Sequence, residues 1–200
     1  VGAYILENGD LKVKELIVAK GNYNWYERDL VYKNTKLRDG NSFLNNTIYN
    51  ATDITDVIIK AKSVNNISFD TFNDNDFDIF NLVSYATNGD RAKYTISSIN
   101  GGKRYRTYYR TMNNTTAFLI EYTIKDAVVL HNDIAELYWT FVPDGFEENL
   151  YNINIRVHLP KEDDSNNFRI WAHGNLAGEI RFIENKGLEA SIEKVFKGES

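Results

Sequence analysis

Apolar and polar residues alternate with a period of two over several segments of this chain. That spacing turns one side chain inward and the next toward water in an extended strand. The clearest case is YNINIRVHLP: Tyr151, Ile153, Ile155, Val157 and Leu159 share one face, and Asn152, Asn154, Arg156 and His158 the other. AFLIEYTI does the same, with Phe118, Ile120, Tyr122 and Ile124 opposite Ala117, Leu119, Glu121 and Thr123. GAYILENGDLKVKELIVAK predicts a hairpin turning at Asn8-Gly9, because both residue types tolerate positive φ. Beyond that turn Leu11, Val13 and Ile17 share a face that Glu15 interrupts, so Glu15 is expected near a sheet edge. ITDVIIKAKSV sets Val57, Ile59 and Ala61 on one side, and YTISSINGGKRYRTYYRT predicts a second hairpin at Asn100-Gly101-Gly102. FRIWA and EIRFIEN flank a turn at HGNLAG. Residues 20–55 read as irregular and polar, with KLRDGNSFLNN a long loop. Residues 65–90 carry no clear period, and LEASIEKVFKGES fits either a last strand or a short helix. There is no internal repeat. The pattern predicts an all-β fold: an antiparallel β-sandwich, immunoglobulin-like or jelly-roll-like, with long loops and little helix.

One stretch tests the period directly. In NDIAELYWTFVPDG the charged Glu136 stands inside an apolar, aromatic run. Read as a strand, Ala135, Leu137, Trp139 and Phe141 form an apolar face, while Ile134, Glu136, Tyr138 and Thr140 form the other, where a carboxylate reaches water. A helix competes, since Ile134, Leu137, Tyr138 and Phe141 follow helical spacing and Asp133 with Glu136 resembles a capping box. Residues 133–141 thus fit either element, and the aromatic content and neighbouring strands favour the strand.

Composition supports strands: 13 Tyr, 11 Phe and 3 Trp suit a pleated, half-buried surface, and only 2 Pro interrupt it. Frequent asparagine supplies turns, and makes the Asn-x-Ser/Thr triplets at Asn45 and Asn114 expected by chance. A net charge of −5 argues against nucleic acid as a partner, since such binders present a basic face. The absence of cysteine excludes disulfides, thiolate metal sites and a cysteine nucleophile. Apolar runs such as LIVA and AFLI are far shorter than the ~20 residues of a membrane helix. The chain opens on Val1, which implies that an upstream segment, such as a signal peptide, has been removed.

Few residues suggest chemistry. Asp74, Asp76 and Asp78 have the D-x-D-x-D spacing of a calcium loop but lack the glycine and glutamate that complete one, so they are weak metal candidates. His131, His158 and His173 have no ligand spacing, and His173 precedes a glycine in a turn. KRYRTYYR is locally basic, with Arg104, Arg106 and Arg110 beside Tyr108; such a face suits phosphate, nucleic acid or anionic lipid headgroups, or serves only solubility and protects an edge from pairing, and the acidic whole disfavours nucleic acid. No catalytic or nucleotide-binding motif is present and no cofactor is implied. Glu136, Trp139, Trp171 and His173 are the candidate binding residues, the tryptophans, with Trp25, as stacking platforms for sugars.

DIAELYWTF, preceded by FLIEYTIKDAVVLHN and followed by NINIRVHLP and WAHGNLAGEI, resembles domain of unknown function 2207, the YciQ-like N-terminal domain of predicted bacterial membrane proteins. NYNWYERDL, ITDVIIKAKSV and ATNGDRAKYTI fit earlier parts of the same pattern in order. The acidic FDTFNDNDFDIF departs from it as a local elaboration, and SIEKVFKGES lacks the expected final strand. The resemblance implies one exported domain over residues 1–200, on the extracytoplasmic face of the bacterial membrane, anchored by helices outside this chain. It implies no catalytic residues. The expected function is non-enzymatic: interaction, sensing or envelope association with an unknown protein or cell-envelope component. Two alternatives are a carbohydrate-binding module and a metal-dependent hydrolase using Glu136 and His173.

Overall fold

A computed structural model describes residues 1–33, 51–64, 72–110, 114–143, 146–171 and 177–198. Its strands, in chain order, are β1 (Gly2–Ile5), β2 (Leu11–Gly21), β3 (Trp25–Val31), β4 (Ile54–Val64), β5 (Asp78–Ile79), β6 (Asn81–Leu82), β7 (Arg91–Ile99), β8 (Gly102–Tyr109), β9 (Asn114–Ile124), β10 (Val128–Leu130), β11 (Ala135–Leu137), β12 (Leu150–His158), β13 (Glu179–Ile183) and β14 (Gly187–Val195). The helical content among the described residues is two 3₁₀ turns, Asp74–Asp76 and Ser165–Asn167. The protein is all-β, as the alternation predicts. Most pairs are antiparallel; β1 with β12 and β6 with β7 are parallel. The chain falls into two compact units, Val1–Val13 with Asp126–Ser200, and Lys14–Lys125.

In the unit of residues 14–125, the order β2-β9-β4-β5 faces a second sheet ordered β3-β8-β7-β6. Strand β9 supplies the centre: Phe118, Ile120, Tyr122 and Ile124 are almost fully buried. The Tyr26 ring stacks on Phe118 at 5.0 Å, and Tyr109 meets the same ring edge-on. These contacts make the unit a sandwich with an aromatic core. Glu15 lies in this core rather than at a sheet edge. Its carboxylate accepts hydrogen bonds from Arg28 Nε at 2.8 Å, Arg28 Nη2 at 2.7 Å and Tyr122 Oη at 2.6 Å. Burial alone would raise the Glu15 pKa, but the Arg28 charge, with its bonds and that of Tyr122, lowers it overall.

The partner, Arg28, comes from β3, in a region that the sequence predicts to be irregular. Its seven residues pair with β8 from Trp25 opposite Tyr108 to Val31 opposite Gly102. The inward positions are Tyr26, Arg28 and Leu30, so a charge at the middle position hides the apolar face from a period-two reading. The β7–β8 hairpin turns at Asn100-Gly101 as expected, with Gly101 at φ 71°. A Cβ on Gly101 or Gly102 would collide with the carbonyl oxygens of Lys33 and Leu30 respectively.

The outer face of β9 is covered as well. Ala117 and Leu119 pack with Phe77, next to Leu16, Val64 and Phe72. Phe72 and Phe77 of the acidic segment thus cover this face of the sheet, while Phe80 stacks on Tyr109. In β4 the period slips at a bulge between Thr55 and Ile58, where Asp56 has φ 54°. Ile54, Ile59 and Ala61 are buried in consequence, while Val57 is only half-buried.

In the other unit the order is β13-β14-β12-β1, and β1 turns into the start of β2 at Asn8-Gly9. Asp10 is buried there; its carboxylate accepts from Asn8 Nδ2 at 2.9 Å and from the Asp126 backbone N–H at 3.0 Å. The C-terminal segment resolves as strand: β14 pairs with β12 and β13 at once. The predicted loop in KLRDGNSFLNN, the triplet at Asn45 and His173 lie outside the described residues.

Truncating Arg28 to Ala leaves a buried, unpaired carboxylate and is expected to destabilise the protein by about 3–5 kcal/mol in urea unfolding. The double change Glu15→Leu with Arg28→Met is expected to cost much less, because no charge remains buried. A folded-state pKa below the unfolded one stabilises at pH above the ordinary carboxylate value. That contribution disappears as pH falls through the lowered value, so the double variant should show a flatter loss of stability in acid.

Candidate functional site

The polar positions of β12 gain cross-strand neighbours where β14, and beyond it β13, pair alongside. Asn154 lies opposite Ser191, which lies opposite Glu179; Arg156 lies opposite Glu189, which lies opposite Arg181. Cross-strand partners share a face, so these six side chains form two rows on one side of the sheet. Five of them, with Ile180, line an open cleft of about 440 Å³. Arg156 Nε donates to Glu189 Oε1 at 2.8 Å, and Arg181 Nε donates to Glu189 Oε2 at 2.9 Å, with a further bond from Arg181 Nη2 to the same oxygen. Glu189 is held below the ordinary glutamate pKa, first by the Arg156 hydrogen bond and then by Arg181. Beyond the arginine row, the His158 ring stacks on Tyr4 with centroids 4.6 Å apart and planes within 8°. His158 thus packs against a neighbouring strand instead of standing alone on a solvated face.

This arrangement is a set of fixed donors and acceptors. Glu189 is locked in its ionised form, which suits it to accept hydrogen bonds and not to deliver a proton at neutral pH. The two arginines balance Glu189 and Glu179 in formal charge.

The residues singled out from sequence are placed differently. Glu136 lies in the short β10–β11 hairpin, opposite Val129. Residues 135–137 are therefore strand and not helix, though the strand ends at Leu137 and both Ala135 and Glu136 are exposed. The Glu136 carboxylate lies 3.3 Å from His131 Nε2, a solvent-facing contact. Trp139 is half-buried. Trp171 is 74 % exposed, and the partly exposed ring of Trp25 is covered by the Arg106 guanidinium at 5.4 Å. Asp74 is paired with Lys14 at 3.0 Å and approached by Lys60; Asp76 is paired with Lys62 at 3.2 Å; Asp78 lies in β5. Among the described residues no group of three or more His, Asp or Glu side chains is placed to hold a metal ion. Three cations of the basic KRYRTYYR stretch are paired: Arg104 binds Asp29 at 2.7 Å and Arg106 binds Glu27 at 2.5 Å, both of β3, while Lys103 binds Asp53, just before β4.

The polar face of β12 is legible in the sequence, whereas the roles of Glu189 and Arg181 are not. Their signal was the alternation of EIRFI and of GLEASIEKV, whose pairing partner was undefined.

The fold and the polar sheet face describe an all-β domain with an open, polar cleft. The family model described as the N-terminal domain of predicted membrane proteins (DUF2207) matches residues 1–200, and the chain belongs to that family. No curated protein and no solved structure gives a significant match. Among the described residues no helix is long and apolar enough to cross a membrane.

Replacing Arg156 or Arg181 by Ala is expected to raise the Glu189 titration midpoint toward the ordinary glutamate value, and the double change by more than either alone, in ¹³C NMR titrations of the side-chain carboxyl.

Proposed function

We propose that this chain is a non-enzymatic, extracytoplasmic recognition module of a membrane protein, and that it contacts a protein or cell-envelope component through the polar face of β12, β14 and β13. The observation that carries this reading is the ladder Arg156–Glu189–Arg181. Two ion pairs hold the Glu189 carboxylate between two guanidinium groups, and Glu189 and Arg181 line the open cleft. Preorganised donors and acceptors lose little side-chain freedom on binding, which favours recognition. Membership of a membrane-protein family supports attachment to a membrane.

A carbohydrate ligand is the second reading. The cleft sets Glu179, Glu189 and Arg181 among neutral Asn154 and Ser191, with Arg156 beside it in the same row as Glu189. The same unit also exposes Trp171, whose ring suits stacking on a sugar face.

The absence of native cysteine in these 200 residues makes the outer placement directly testable. Tyr85 is highly exposed. In intact cells, Tyr85→Cys in the full-length protein should react with a membrane-impermeant maleimide, while the parent sequence gives no added label in this domain. Labelling only after permeabilisation would refute the outer placement. For the ligand, retention on insoluble cell-wall polysaccharide is expected to fall about tenfold or more in Arg181→Glu and in Trp171→Ala if sugar is bound. Retention of neither wild type nor variants removes the carbohydrate reading and leaves a protein partner, to be sought by crosslinking wild type against Arg181→Glu.

A further inference from the structure

The sheet of β12, β14 and β13 has a second face, opposite the cleft. Val157, Leu188 and Phe182 form one row of it, and Tyr151 with Lys194 forms the last. At that end two rings stand out from the protein: Tyr151 is 60 % exposed and Phe196, just beyond β14, is 51 % exposed. The Lys194 ammonium sits 5.5 Å from the centre of the Tyr151 ring and 4.2 Å from that of Phe196. Asn149 Oδ1 accepts from the backbone N–H of Lys197 at 3.0 Å, which ties the segment carrying Phe196 to the start of β12.

We infer that this end of the sheet rests on a lipid bilayer, with Tyr151 and Phe196 entering the boundary between headgroups and acyl chains and Lys194 reaching the lipid phosphates. Tyrosine, with an apolar body and a polar rim, settles at that depth, phenylalanine adds a purely apolar ring beside it, and lysine extends its ammonium from an apolar stem to the headgroup level. Two neighbouring exposed rings about one lysine supply both parts. Glu147 and Glu148 are exposed on the segment before β12 and offset Lys194 and Lys197 in charge, so the rings carry most of the contact. The family description selects the bilayer over a soluble partner. That description is of the N-terminal domain of predicted membrane proteins, so a bilayer is the surface such a domain works beside. The inference does not rest on the polar cleft or on its ligand.

Co-sedimentation of the 200-residue chain with vesicles of phosphatidylcholine, with and without phosphatidylglycerol, tests it. The wild type is expected to sediment with both, more strongly when phosphatidylglycerol is present. The double change Tyr151→Ser with Phe196→Ser should reduce partitioning about tenfold or more with an unchanged melting temperature. Lys194→Glu should abolish the phosphatidylglycerol enhancement, and reads the same surface if the double variant folds poorly. Tyr85→Ser, an exposed aromatic of the other unit, should bind as wild type does. A wild type that stays in the supernatant with both lipids, a double variant that binds normally, or an equal loss in Tyr85→Ser would each overturn the inference.

Discussion

The ion pair between Glu15 and Arg28 is the constraint on which the larger unit depends. Both side chains are almost wholly buried between sheets otherwise filled with tyrosine, phenylalanine and aliphatic residues. Separately, each would be an intolerable charge in a core of low dielectric; together, with Tyr122 completing the carboxylate's bonds, they are accommodated. A pair of this kind contributes little to net stability compared with well-packed apolar residues of similar volume. Its effect is on register. Sliding β2 or β3 by one residue would turn one charge outward and leave the other buried and unpartnered, so these strands are held at a single alignment.

Opposite charges recur wherever strands of this chain meet, but with a different consequence at the surface. Glu27 and Asp29 of β3 take up Arg104 and Arg106 of β8, and Asp74 and Asp76 of the acidic segment take up lysines of β2 and β4. These pairs are substantially exposed and individually weak. They nonetheless determine what the surface offers to a partner. A basic stretch and an acidic stretch that look like binding motifs are each largely neutralised by neighbours distant in sequence. On the β12–β14–β13 face the same chemistry leaves an open, polar cleft, with an amphipathic pair of rings on the other side of the sheet.

The errors of a period-two reading are instructive because they are physically linked. Glu15 reads as a break in an apolar face, and Arg28 conceals one within a segment that reads as irregular. Neither residue violates the pattern once each is seen as the other's partner, since an inward charge is admissible when a counter-charge faces it. The bulge at Thr55 to Ile58 displaced Val57 for another reason, an extra residue that shifts the phase of the strand. The end of the chain was ambiguous because GLEASIEKV alternates weakly, and its strand character follows from having β12 and β13 on its two sides.

By itself the sequence determined the all-β class, the two hairpins at Asn-Gly turns, the core face of β9, the polar face of β12 and the family, because these rest on local alternation, turn chemistry and ordered motifs. Tertiary structure alone decided which charges meet. Arg28 with Glu15, Glu189 with Arg156 and Arg181, and Lys194 between Tyr151 and Phe196 are pairings across strands. No spacing along the chain encodes them, since the partner of a side chain is chosen by strand order and register in space.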